Sequence, residues 1–209
     1  MALKEEELKK VKHRKPRKLP KVLTQRQVEV LFATINIKCP TGLRNRVMLE
    51  CAYRAGLRIS EICNIAPEDI IWEKKQIFVQ QGKNRKDRLV YFGPELLKWL
   101  KKWDEIRPQS KYFFCSIRKP QYGEPVSPVY MRQVLKRLSE RSGVYLNDNH
   151  TIKAVTPHVL RHSYATNLLE NKINIRKVQQ QLGHADVSTT MLYTHVVDDS
   201  LAAEIEALG

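Results

Sequence analysis

Four side chains in the stretch Thr156 to His195 have the types and spacing of a reactive site: His158 with Arg161, then His184, then Tyr193. Arginine holds oxyanions with a planar fork that stays charged. Histidine moves protons near neutral pH, and a phenol can attack once it is ionised. Positions three apart share a helix face, so His158 and Arg161 can point into one site. Gly183 then interrupts the pattern, and Asp186 can cap a further short helix. The interruption matters, because His184 and Tyr193 are nine apart and would face opposite ways on one unbroken helix. With a break between them, both can face the same pocket.

His-x-x-Arg, then Leu-Gly-His, then Tyr nine residues later resembles the tyrosine recombinases, the phage-type integrases and Xer recombinases. Two upstream segments extend the resemblance. Ala55-Gly56-Leu57-Arg58-Ile59-Ser60-Glu61 matches the first arginine motif, and Gly82-Lys83-Asn84-Arg85-Lys86-Asp87-Arg88 matches the lysine hairpin. Together these span roughly residues 20 to 197 in the expected order, and six ordered positions are far more specific than any one of them. Asn84 stands where the family more often has Gly, and Asn accepts turn conformations well.

The resemblance implies roles. Arg58 and Arg161 would clamp a phosphate, with a further hydrogen bond from His184. Tyr193 would be the nucleophile, made easier to ionise by the nearby arginines. His158 would take its proton, and Lys83 would protonate the departing 5′-oxygen, with Lys86 as the alternative bearer. Glu61 would orient the site from behind. The product would be a 3′-phosphotyrosine and a free 5′-hydroxyl, reached without ATP, metal or other cofactor. Read without the resemblance, Arg58 and Glu61 are a surface pair worth only about a few tenths of a kcal/mol, and Gly82 to Asp87 is a solvated turn.

Composition agrees with a polyanionic partner. Lys and Arg number 37 against 22 Asp and Glu, a net charge of +15, and hydrophobic residues are 42%, ample for a core. No apolar run approaches the roughly 18 residues of a membrane span, and the N-terminus lacks a signal-peptide core, so the chain is expected in the cytoplasm. Cys39, Cys51, Cys63 and Cys115 form no C-x-x-C pair and read as reduced, mostly buried thiols. His158 and His162 are four apart as in zinc helices, but Val159 stands where that motif needs Glu, so no metal site is expected. Tyr145 and Tyr164 are rival phenols, each expected to be a packed aromatic.

The elements that must position these groups follow in order. Residues 1–21 form a basic arm with nine Lys or Arg, of which Lys15, Arg17 and Lys18 are expected to track DNA. Related recombinases carry a helical DNA-binding domain ahead of such a linker. These 209 residues hold none, which would suit either a naturally short recombinase of the fimbrial-switch kind or an excised catalytic domain. Residues 22–209 are expected to form the catalytic domain. Thr24 to Gln27 opens a first helix as a capping box, with Val28, Val30, Leu31 and Ile35 inward. Pro40 opens a second helix that Gly56 ends. Ile70–Trp72, Gln76–Gln80 and Arg88–Phe92 read as three short strands. Pro94 starts a helix with Leu96, Leu97, Leu100 and Trp103 inward, and Tyr112 to Cys115 is a short buried segment. Ser127 caps a helix to about Arg141. Asn147 to Lys153 is expected to be loop, and Asp198 to Gly209 a helix that packs on its own domain or on a neighbouring subunit. Arg85, Lys86, Arg88, Arg132 and Lys136 complete the expected DNA contacts.

The expected fold is mainly α with a small three-stranded antiparallel sheet. The expected function is site-specific recombination of double-stranded DNA, by a chain that is a tetramer on DNA and monomeric when free. The alternative is a non-catalytic DNA-binding regulator on the same fold.

Overall fold

The computed structural model describes residues 21–80, 87–148 and 151–183. Helix α1 (Gln25–Ala33) begins with the expected capping box: Gln27 N donates to Thr24 Oγ1 at 3.2 Å, and Thr24 N donates to Gln27 Oε1 at 2.9 Å. Its inward face is Val28, Leu31 and Phe32 rather than the face expected. Val30 is 43% exposed, and Ile35 packs on the core from beyond the helix end. The 3–4 spacing of 28, 31 and 32 makes one stripe, and position 30 falls outside it.

Helix α2 (Pro40–Arg54) runs through the middle of the core, with Val47, Met48, Leu49, Cys51 and Ala52 fully buried. Glu50 is buried with them and is tolerated there because Arg46 and Arg54, one turn to either side, pair with it at 2.7 and 2.6 Å. The Arg46 guanidinium lies over both Phe32 and Trp99, 4.7 and 4.6 Å from the ring centres. Gly56 follows the helix with φ +66°, the left-handed turn expected there.

Helix α3 (Ile59–Cys63) and a 3-10 turn (Pro67–Asp69) lead into the antiparallel sheet β1 (Ile70–Ile71), β2 (Gln76–Val79) and β3 (Arg88–Tyr91), in that spatial order. Ile77 pairs with Val90 and Val79 with Arg88. Ile77, Val79 and Val90 face the core, as alternation requires. Helix α4 (Pro94–Asp104) buries Leu96, Leu100 and Trp103, and the indole N–H of Trp103 donates to the Phe113 carbonyl at 2.9 Å. Phe113, Phe114 and Cys115 are buried as expected.

Helix α5 (Pro128–Ser142) is capped by Ser127, whose Oγ accepts from Tyr130 N at 3.1 Å. The next segment corrects the expected loop: β4 (Tyr145–Asp148) and β5 (Thr151–Ala154) form an antiparallel hairpin. Backbone pairing organises this polar stretch, while Leu146 packs on the core and Ile152 is 73% exposed. Polarity alone concealed the strands, because a hairpin can stand with most of its side chains in water. Helices α6 (Pro157–Glu170) and α7 (Ile175–Leu182) close the described chain around a small core of Ala165, Leu169, Val178 and Leu182. The fold is thus mainly α with the expected three-stranded sheet, and with one additional hairpin.

Cys51, Cys63 and Cys115 are buried free thiols and Cys39 is exposed. Among the described residues no helix is long and apolar enough to cross a membrane.

Candidate active site

The site is assembled where α2 ends, α3 begins, and the C-terminus of α7 arrives against them. The turn at Gly56 brings Leu57 into the core, fully buried, and turns Arg58 outward as the residue preceding α3. Arg58 N donates to Glu61 Oε2 at 2.8 Å, and its Nη1 donates to Glu61 Oε1 at 2.7 Å. This is not a surface pair, since the Glu61 side chain is only 9% exposed. Burial opposes ionisation of Glu61. Hydrogen bonding and charge from Arg88, then from Arg58, outweigh it and hold the carboxyl below its ordinary range.

Helix α6 supplies His158 and Arg161 from one face, as their spacing requires. Arg161 Nη1 lies 3.8 Å from Glu61 Oε2, which brings a third guanidinium to the same carboxylate. The three arginines also meet three successive carbonyls at the end of α7. Arg88 Nε donates to Gln181 O at 3.2 Å, Arg161 Nη2 to Leu182 O at 2.6 Å, and Arg58 Nη2 to Gly183 O at 3.3 Å. A helix C-terminus leaves its last carbonyls without partners and carries partial negative charge, so cations belong there. Arg161 Nη1 reaches back to the Gly56 carbonyl, tying α6 to the turn that carries Arg58. That turn needs glycine for space as well as for backbone angle, since a Cβ at Gly56 would sit 2.5 Å from Tyr164 Cδ1.

Burial lowers the His158 pKa from its ordinary value, and the charges of Arg161, Arg58 and Arg132 lower it further. His162 is pushed down to about 4 by burial, then by His158 and Arg161. Both imidazoles are therefore neutral at pH 7, and a neutral His158 is able to accept a proton. Tyr164 is the packed aromatic expected: Gln181 Nε2 donates to its hydroxyl at 3.1 Å, and burial raises its pKa, away from phenolate. Tyr145 departs from expectation and is 37% exposed on β4.

Arg132 and Lys136 lie on the exposed face of α5. Arg88, expected among the DNA contacts, has a side chain only 7% exposed that grips both oxygens of Glu61. The signal was present in the alternation of β3, where Arg88 shares a face with buried Val90. The grip of the three arginines on the α7 carbonyls had no signal in the sequence. Lys83, Arg85 and Lys86, between β2 and β3, lie outside the described residues, as do His184 and Tyr193 beyond Gly183 and the arm residues Lys15, Arg17 and Lys18.

The phage integrase family matches residues 21–199. Tyrosine recombinase XerA of Thermococcus onnurineus is 37% identical over 186 residues, covering 89% of this chain and 62% of the relative. Tyrosine recombinase XerD of Staphylococcus saprophyticus is 40% identical over 185 residues, 86% of this chain and 59% of the relative. The crystal structure of XerA recombinase has a TM-score of 0.74 at 29% identity, covering 92% of this chain and 66% of that one. The structure of XerH recombinase bound to palindromic difH substrate, a post-cleavage complex, has a TM-score of 0.72 at 25% identity, with 90% and 53% covered. The chain thus spans about three fifths of the length of the curated relatives it matches, at 62% and 59%. With residues 21–199 matched, the chain belongs to the phage integrase family.

Proposed function

We propose that this chain is the strand-cleaving and strand-joining part of a site-specific DNA recombinase. The observation that carries the reading is the convergence of Arg58 and Arg161 on one carboxylate and one helix end, beside a His158 held neutral. An anionic phosphodiester repels any nucleophile, and fixed cations that meet the charge developing in the transition state are the remedy. The XerH structure similar to this one contains its difH substrate, which supports duplex DNA as partner.

In the proposed reaction Tyr193 Oη attacks the scissile phosphorus, and its proton passes to His158. Arg58 and Arg161, with His184, neutralise the phosphate oxygens. The bond to the 5′-oxygen breaks, and that oxygen takes a proton from Lys83. A phosphodiester is exchanged for a 3′-phosphotyrosine, so the linkage energy is conserved and a 5′-hydroxyl can reverse the step. Glu61 neither attacks nor transfers a proton; it keeps Arg58 directed at the phosphate. Two duplexes and four cuts imply four copies on DNA, from a chain monomeric when free, acting in the cytoplasm.

The test is to incubate the full chain with nicked duplexes cut from DNA flanking its own gene. A nick beside the cut releases a short fragment and blocks religation, so a covalent adduct accumulates and sequencing locates the site. The expected result is an adduct that Tyr193→Phe abolishes while DNA binding persists. Tight binding with no adduct from any duplex would turn the assignment toward a DNA-binding regulator.

A further inference from the structure

Arg88 differs from Arg58 in how its guanidinium is held. All three of its nitrogens are engaged: Nη1 donates to Glu61 Oε1 at 3.1 Å, Nη2 to Glu61 Oε2 at 2.9 Å, and Nε to Gln181 O at 3.2 Å. Its side chain is 7% exposed, against 22% for Arg58, so it is the more enclosed of the two. Gly183 lies directly against it. A Cβ there would come within 2.8 Å of Arg88 Cδ, Nε and Cζ, on a backbone already at φ +63°.

These contacts close a ring. Arg88 grips Glu61, Glu61 grips Arg58, Arg58 reaches the Gly183 carbonyl, and Gly183 packs on Arg88. The ring joins β3, α3 and the end of α7. Arg58 itself holds both Glu61 oxygens, one through its backbone N–H and one through Nη1. The parallel fork from Arg88 adds two further bonds, one to each oxygen, and stiffens the direction from which Arg58 leaves Glu61.

We propose that Arg88 is a positioning residue for strand cleavage, which sets the direction of Arg58 through Glu61 and seats the Gln181–Gly183 turn beside it without touching DNA. The inference rests on the recombinase reading above. Displacing a charge-stabilising group by about 1 Å costs on the order of 100-fold in rate, and that is the scale expected for losing the fork.

The experiment is single-turnover cleavage by the full chain, saturating, on a nicked duplex carrying the site located by adduct sequencing. Arg88→Gln removes the charge, and Arg88→Lys keeps it while losing the fork. The expected result is a cleavage rate constant lowered roughly 10- to 100-fold in Arg88→Gln and by an intermediate factor in Arg88→Lys. The amplitude of the reaction and the salt dependence of DNA binding are expected to stay unchanged. A merely structural role would do the reverse, reducing the amplitude as molecules unfold while the survivors keep the parental rate constant, and that result overturns the proposal. So does a salt slope smaller by about 0.9, the signature of a lost phosphate contact, and so does an unchanged rate constant. If Arg88→Gln does not fold, Arg88→Lys carries the same three readouts. If the parent chain itself forms no adduct, the recombinase reading has failed and this inference falls with it, a result distinguishable because it is seen before any variant is compared.

Discussion

Arg88 and Glu61, twenty-seven residues apart, meet through two parallel hydrogen bonds of 3.1 and 2.9 Å, with both side chains less than a tenth exposed. Two charges removed from water in this way depend on one another: together they are tolerated, and either one alone is not. Glu61→Ala would leave the Arg88 guanidinium buried without its counterion. The expected loss of stability is about 3–5 kcal/mol, read as a lower urea midpoint with an unchanged slope. A loss below about 1 kcal/mol, the range of exposed pairs, would mean that the pair is open to water.

Gly56 and Gly143 both adopt left-handed angles, φ +66° and +71°, but only Gly56 is crowded. A Cβ at 56 meets Tyr164 at 2.5 Å and Leu182 at 2.7 Å, whereas a Cβ at 143 meets nothing within 4 Å. Gly143→Ala is expected to cost about 1–2 kcal/mol, the penalty of the backbone conformation alone. Gly56→Ala adds an overpacking cost of about 1–3 kcal/mol. Thermal unfolding of the two variants side by side separates the terms, and equal shifts would refute the crowding at 56.

His162 links stability to pH. Its folded pKa, about 4, lies below the ordinary value of 6.5, so the unfolded chain binds the proton more readily. The contribution is therefore fully present above pH 6.5 and is lost as pH falls toward 4. His158, also lowered, acts with the same sign. Unfolding free energies measured between pH 7 and pH 4 are expected to fall in the parent chain and to fall less steeply in His162→Gln. Parallel curves would show that His162 is not held neutral.

Arg132 and Lys136 are exposed on α5, and the charge of Arg132 is felt at His158. If they track the phosphate backbone, Arg132→Gln and Lys136→Gln should each weaken DNA binding by similar amounts on different sequences. Each should also reduce the slope of log K against log salt by about 0.9. Fluorescence anisotropy across a salt series measures this, and an undiminished slope would remove the residue concerned from the interface.

Much of the fold was legible because it is local. Thr24 and Gln27, Ser127, Pro40 and Pro94, and the left-handed Gly56 and Gly183 act over three or four residues, so their chemistry marks element ends wherever they occur. The strands β1 to β3 were readable as short runs rich in β-branched and aromatic residues between turns. The β4–β5 hairpin was not, because exposed pairing leaves little hydrophobic pattern to read.

The sequence by itself determined which chemical groups are available and which of them share an element: His158 with Arg161 on one helix, and Arg58 with Glu61 on one turn. Short-range geometry dictates both pairings. Only the tertiary structure decided which groups Glu61 and Arg88 meet. The carboxylate that reads alone as half of a surface pair, and that the resemblance places behind the site, is the meeting point of three guanidinium groups, and Arg88, expected on DNA, is buried against it. The physical reason is that burial and counterion choice depend on which elements pack together. Arg88 shares the inward face of β3 with Val90, but it is covered there because α7 packs against β3, a contact between residues more than ninety positions apart, from Arg88 to Gln181.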